Sequence, residues 1–367
     1  MNENVRYKLL IAVVMLGLCW SVTSCRDEED EPVPVVTPDE DAPLQMMVVF
    51  APGQLGDNGY ADNVMAGINR LSQTYADGEP DSINVGFIAT YDMDDLATAM
   101  KDWAATPTAP FHHNDFERRI LVLTEPFLAD MLHDTAPLLR PEDEVLLLKA
   151  NEEDVEAVAE RYGLSGRVHG LNISAAASAR NYCSFMRLAV ENMKQYGEDI
   201  SLDSLCFFRL YDTQTVTYRD SIFETLQEEF GSTSTIITTS ISDKVGAGIY
   251  SVEYGTNVIE SAFNIANEMQ RRYNESGTYF AFVDLGSGNA GWDYFLLGIS
   301  ILNSFSTLML DVPEAIALGR FSIQRQFGEA LLKWSSDWAR TPTGGMPRQV
   351  TYCNRQYCDD DFSIIFE

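Results

Sequence analysis

Asp57, Asn58, Tyr60 and Asp62 lie within Gly56-Asp57-Asn58-Gly59-Tyr60-Ala61-Asp62, directly after the apolar run 46–50. Short carboxylate and amide side chains accept and donate hydrogen bonds, an aromatic phenol offers a flat face with a polar tip, and the glycines let the backbone bend close to a bound molecule. The same residues also suit a helix start, where Asp or Asn caps the first backbone N–H groups. A second cluster follows another apolar run. Asp284 is succeeded by Gly286-Ser287-Gly288-Asn289-Ala290-Gly291 and then by Trp292, Asp293 and Tyr294. The glycine spacing has the literal form of a dinucleotide fingerprint, with Asp311 at the distance of the ribose-binding acid. Asp284 would set negative charge beside a pyrophosphate, so the favoured reading is a cleft loop with Asn289, Trp292 and Asp293 as ligand contacts. The bland reading is a turn whose aromatics fill the core.

Catalytic chemistry finds little purchase. The chain has no G-x-S-x-G and no H-E-x-x-H, and its carboxylate pairs are those of any chain with 55 acidic residues. No catalytic residue and no cofactor is expected. Of the six cysteines, Cys183 and Cys206 lie in apolar stretches suited to buried thiols. Cys353 and Cys358, five apart near the end, form a candidate disulfide. A metal site would need further ligands, and the four histidines show no paired spacing with these cysteines, so none is expected.

The elements that must position these residues alternate regularly. Short apolar runs at 46–50, 83–89, 120–123, 145–149, 167–173, 204–210, 235–240 and 279–285 predict strands. Helical periods at 62–75, 95–103, 154–161, 175–196, 217–230 and 257–273 fall between them. Strand followed by helix, repeated this often, predicts parallel sheets covered on both faces. Ligands in such sheets sit beyond the carboxyl ends of the strands, where both clusters fall.

The 56–62 stretch, followed by Gly67, resembles the signature after the first strand of the basic membrane protein family, the purine nucleoside receptor type of substrate-binding lipoprotein. Later segments keep that family's order: a strand, loop and helix across 202–227, then a strand delivering Asp284 to the cleft. The resemblance implies a fold of type 1 periplasmic binding protein kind: α/β, two doubly wound parallel-sheet lobes joined by a multi-crossover hinge, with the ligand between them. It further implies 44–172 and 306–348 in one lobe, and 173–305 and 349–367 in the other. Asp57 would accept hydrogen bonds from ligand hydroxyls, Tyr60 would stack on the ligand, and Asp284 would be the cleft acid. Gly59 stands where the family has a Ser, and Ala61 where it has an Asn.

The chain's beginning gives an expected address. Arg6 and Lys8 precede twelve continuous apolar residues at 9–20, too few for a membrane span, which needs about 20. The run ends at Val22-Thr23-Ser24-Cys25, resembling a bacterial lipobox. Residues 1–24 therefore read as a signal peptide and Cys25 as a lipidated anchor. Residues 26–43 carry eight acids and four prolines, a solvated tether between lipid and domain. Such an acidic run also resembles the surface-export signal of Bacteroidetes lipoproteins, so the outer membrane, facing the periplasm or the exterior, is the expected location. A net charge of −30 excludes nucleic acid as a partner. The reading as a whole is a lipid-anchored binder of a small neutral hydroxylated solute, serving an ABC permease or an outer-membrane importer. A surface adhesion or scaffold protein, and more remotely a secreted enzyme, are the alternatives.

Overall fold

The computed structural model describes residues 43–56, 59–74, 83–108, 115–197, 205–211, 221–230, 235–240, 279–284, 306–311 and 321–353. Eleven strands appear among them: β1 Leu44–Val49, β2 Ile83–Ile88, β3 Arg118–Leu123, β4 Glu144–Leu148, β5 Val168–Ser174, β6 Leu205–Tyr211, β7 Thr235–Ser240, β8 Tyr279–Asp284, β9 Ser306–Leu310, β10 Phe321–Ile323 and β11 Gln349–Cys353. The longer helices are α1 Tyr60–Thr74, α2 Met93–Ala105, α3 Glu152–Tyr162, α4 Ala176–Gln195, α5 Ser221–Phe230 and α6 Phe327–Arg340.

Two parallel sheets result. The first has the order β11-β5-β4-β3-β1-β2, the second β10-β9-β8-β6-β7. Each reverses its winding once, between β1 and β3 in the first sheet and between β6 and β8 in the second. These reversals leave the crevices in which doubly wound sheets hold ligands. The central strands of the first sheet are buried on both faces, which is why β3 and β4 read as unbroken apolar runs. In β3, Ile120 and Val122 join the cluster under α1 and α6, while Leu121 and Leu123 join the cluster under α2 and α3.

The chain leaves the first sheet after β5 and returns between β10 and α6, so two crossings lie among the described residues. This corrects the expected division. Strands β9 and β10, in the 306–348 segment expected with the first lobe, extend the ladder of β8 in the second sheet; β11, expected in the second lobe, pairs with β5 in the first. The return is thus made at 324–326. Helix α6 then packs on the first sheet because Phe327, Ala330, Leu331, Trp334 and Trp338 share one buried face. Its approach to α1 is close enough that a Cβ on Gly67 would run into the Gly328 backbone. Asn63 clamps the crossing, its Oδ1 accepting from Gly328 N at 2.8 Å and its Nδ2 donating to Gln326 Oε1 at 2.8 Å.

Candidate functional site

Beyond the carboxyl ends of β1, β3 and β4 the first sheet presents a buried polar cluster. After β1 the chain turns through Gly53 and Gly56, both at positive φ (77° and 98°), which a side chain would resist. Gly56 N donates to both carboxylate oxygens of Asp62, at 2.9 and 3.1 Å, so Asp62 pins this loop to the first turn of α1. Tyr60 is 1 % exposed: its hydroxyl donates to Thr124 O at 2.7 Å, Phe327 meets its ring edge-on at 5.1 Å, and Lys149 Nζ lies 3.5 Å from the ring centroid. Lys149 also bonds Glu125 Oε1 at 2.5 Å, and Gln54 Nε2 donates to the same oxygen at 3.1 Å. Burial drives the Glu125 carboxyl above its ordinary value against the pull of Lys149, and drives the Lys149 ammonium below its own against the pull of Glu125.

The second sheet contributes a matching pair at the crossing. Asp311, directly after β9, accepts from Arg325 N at 2.7 Å, Nε at 3.1 Å and Nη2 at 2.8 Å. Lys149 and Asp311 are the two non-glycine residues at positive φ among the described residues, 63° and 57°. Such outliers persist where surrounding contacts over-determine them, and they gather at functional sites. Here both follow a strand and both bond a buried side chain, Lys149 to Glu125 and Asp311 to Arg325.

Between α1 and the crossing lies a cavity of about 300 Å³. Asp62 and Asn63 wall it on one side, Asp311 and Gln324–Gln326 on the other, with Gly59 and Tyr60 between them. Arg325 answers the charge of Asp311, and the Gly56 N–H hydrogen-bonds the Asp62 carboxylate. The amides of Asn63, Gln324 and Gln326 complete the wall.

Of the residues expected from sequence to bind a ligand, Tyr60 and Asp62 reach this cavity. Asp284 ends β8 at the second sheet's reversal. Asp57, Asn58, Asn289, Trp292 and Asp293 lie outside the described residues, as do the 286–291 glycine stretch, Cys25 and Cys358; Cys353, the last residue of β11, is half-buried. Asp311, which the dinucleotide reading would give to a ribose, has its carboxylate on Arg325. Sequence reasoning missed Gln54, Glu125, Lys149, Gln324, Arg325 and Gln326. The available signal was position, since 125 and 149 stand at or just past the ends of predicted strands. Among the described residues no group of His, Cys, Asp and Glu is arranged to hold a metal.

No protein-family model and no curated protein sequence matches the chain. Solved structures do. An ABC-transporter solute-binding protein from Agrobacterium vitis bound to α-D-tagatopyranose aligns with a TM-score of 0.53 at 9 % identity, over 84 % of this chain and 93 % of its own. An ABC sugar transporter subunit from Rhodobacter sphaeroides aligns at 0.51 and 11 % identity, over 83 % and 94 %. An arabinose-binding protein from Geobacillus stearothermophilus aligns at 0.50 and 11 % identity, over 84 % and 93 %. The fold is that of the type 1 periplasmic binding proteins. At identities near one in ten, the likeness speaks for the type 1 fold alone. The cavity here lies beside a segment that carries the chain between the two sheets of that fold, next to the ends of β1 and β9.

Proposed function

We propose that this chain is a solute-binding protein that holds a small, neutral, hydroxyl-bearing molecule at the junction of its two sheets. The observation that carries the reading is the cavity at the 324–326 crossing, where Arg325 neutralises Asp311, a backbone N–H hydrogen-bonds Asp62, and amide side chains complete the wall. An anionic ligand would meet the Asp62 carboxylate without an answering cation, whereas hydroxyls can exchange hydrogen bonds with amides and carboxylates. About 300 Å³ stands at the small end of ligand sites and suits one ring or a short polyol. The similar proteins named above, which include an arabinose binder and one holding tagatopyranose, support the same class.

The finer reading implied by the 56–62 motif, a purine nucleoside, asks for a stacking partner. The Tyr60 ring already has Lys149 over one face and Phe327 at its side, which favours a sugar- or polyol-like solute. Attachment through a lipid on Cys25, an outer-membrane location and delivery to a permease or importer belong to the same proposal; they rest on the lipobox-like 22–25 and the acidic 26–43 tether. Calorimetric titration of the mature chain with arabinose, tagatose, allitol and adenosine tests it. Saturable heat with one of the first three is expected. Saturation by adenosine alone would restore the nucleoside, and no saturation by any of the four at millimolar concentration would overturn the solute-binding reading in favour of an adhesion or scaffold role.

A further inference from the structure

Next to Lys149, which lies over the Tyr60 ring, Gln54 and Glu125 share a single hydrogen bond, Nε2 to Oε1. Both side chains are buried, Gln54 at 0 % and Glu125 at 1 % exposure. The other oxygen of each, Gln54 Oε1 and Glu125 Oε2, has no hydrogen-bond partner. Each orphan is attached to the same carbon as an atom of the existing bond, so an amide and a carboxyl are joined at one corner while two acceptors remain at the other. Two buried acceptors without a hydrogen are each costly. A hydrogen on the carboxyl, donated from Oε2 to Gln54 Oε1, would satisfy both.

We propose that Glu125 is a proton-binding site: in the folded protein it is a neutral carboxylic acid whose Oε2–H donates to Gln54 Oε1, while Oε1 keeps its bonds from Gln54 Nε2 and Lys149 Nζ. The charged and titratable groups facing it are Lys149 at the end of β4, Tyr60 on α1, Arg325 after β10 and, through Tyr60 and Lys149, Asp311 after β9. With Glu125 neutral, Lys149 retains the Tyr60 ring as a partner at 3.5 Å. Burial favours the same form, since it raises the Glu125 carboxyl despite Lys149 and Arg325. The proton keeps the surroundings of Tyr60 free of a second carboxylate charge. Its loss as pH rises would place that charge against Tyr60.

The sign follows from linkage. A carboxyl raised in the folded state makes the protein lose stability from its unfolded value near 4.5 up to the raised folded value, and that slope disappears when the group cannot titrate. The test pairs infrared difference spectroscopy with thermal melts on the full mature chain and its Glu125→Gln variant. Expected are a protonated-carboxyl carbonyl band in the wild type at pH 7 that is absent from Glu125→Gln, a variant melting temperature at or above that of wild type at pH 7, and a flatter decline in the variant as pH rises from about 4.5. Glutamine keeps the shape and gives Gln54 Oε1 a donor. Three results would overturn the proposal: no such band in the wild type, a band unchanged in Glu125→Gln, or a variant that fails to fold or melts roughly 10 °C lower. The last is what an ionised Glu125 predicts, because the substitution would then strand the buried Lys149 ammonium. None of these measurements needs a solute, so their failure is separable from failure of the solute-binding reading.

Discussion

Tyr60 shows how one side chain divides between stability and function. Its hydroxyl is committed to Thr124 O and its ring to Phe327 and Lys149, all within the first sheet's layers. Tyr60→Phe removes the hydroxyl and leaves a buried carbonyl short of a donor, so unfolding in urea should report a loss of about 1–2 kcal/mol. The ring stays in place, so solute affinity should remain within about twofold by titration. A large affinity loss without a stability loss would instead make the hydroxyl a ligand contact. At the opposite end of the sheet Glu144 accepts from Trp338 Nε1 at 2.6 Å, Arg118 Nη2 at 2.8 Å and Gly344 N at 3.0 Å, and bonds His169 Nε2 at 3.2 Å. Burial alone would raise this carboxyl, but those bonds outweigh it and hold it down to about 2. A depressed carboxyl stabilises the fold above its unfolded value near 4.5 and loses that contribution as pH falls toward 2. Glu144→Gln should therefore cost on the order of 3 kcal/mol at pH 7, with the gap from wild type narrowing steadily below pH 4.5 in urea melts. A gap independent of pH would mean that the residue acts by shape rather than charge.

At the scale of elements, the α1–α6 contact turns on two glycines. In an ordinary helix interior Gly→Ala gains roughly 1 kcal/mol. At Gly67 or Gly328 the added methyl meets backbone of the other helix, Gly328 in one case and the Asn63 carbonyl in the other, and backbone cannot step aside as a flexible side chain can. Overpacking of this kind costs about 1–3 kcal/mol, so either alanine variant should melt lower than wild type, and a higher melting temperature would show that the helices part easily. The glycine at 67 was visible in sequence as part of a ligand-binding motif; its packing duty was not, because Gly328 is remote in the chain. Strands β1, β3 and β4 were legible for a simpler reason: a strand covered on both faces needs apolar residues at nearly every position. Strand β11 lacked that signal, since Val350 and Tyr352 point into the core while Thr351 faces out at the sheet's edge, and β10 is only three residues long. Helix α6 did carry a readable period in Phe327, Leu331, Trp334 and Trp338. The buried polar pairs of the site were not legible at all, because neither the left-handed backbone at Lys149 and Asp311 nor the meeting of residues near 60 with residues near 325 leaves a trace in local sequence.

For the whole molecule, the position of the cavity matters more than its size. It is walled by α1, which belongs to the first sheet, and by Asp311 and Gln324–Gln326, which follow strands of the second, so a solute filling it touches both bodies and the segment between them. A molecule that binds the folded chain and not the unfolded one stabilises it in proportion to the logarithm of its concentration above the dissociation constant. A molecule bound at a crossing should in addition suppress the local openings that part the two sheets. Amide hydrogen exchange at saturating solute should therefore slow most in two stretches far apart in sequence, the first turn of α1 from Gly59 to Asn63 and the crossing from Ser322 to Gly328, where Arg325 N bonds Asp311 and Gly328 N bonds Asn63. Helix α2 lies across the sheet from both stretches, in the cluster with Leu121 and Leu123, and should exchange at its unliganded rate. Protection confined to one of the two stretches would put the solute within a single body. Protection that is uniform, α2 included, would mean that the solute acts on global stability from somewhere other than the crossing, and the cavity would lose its place in the function of this chain.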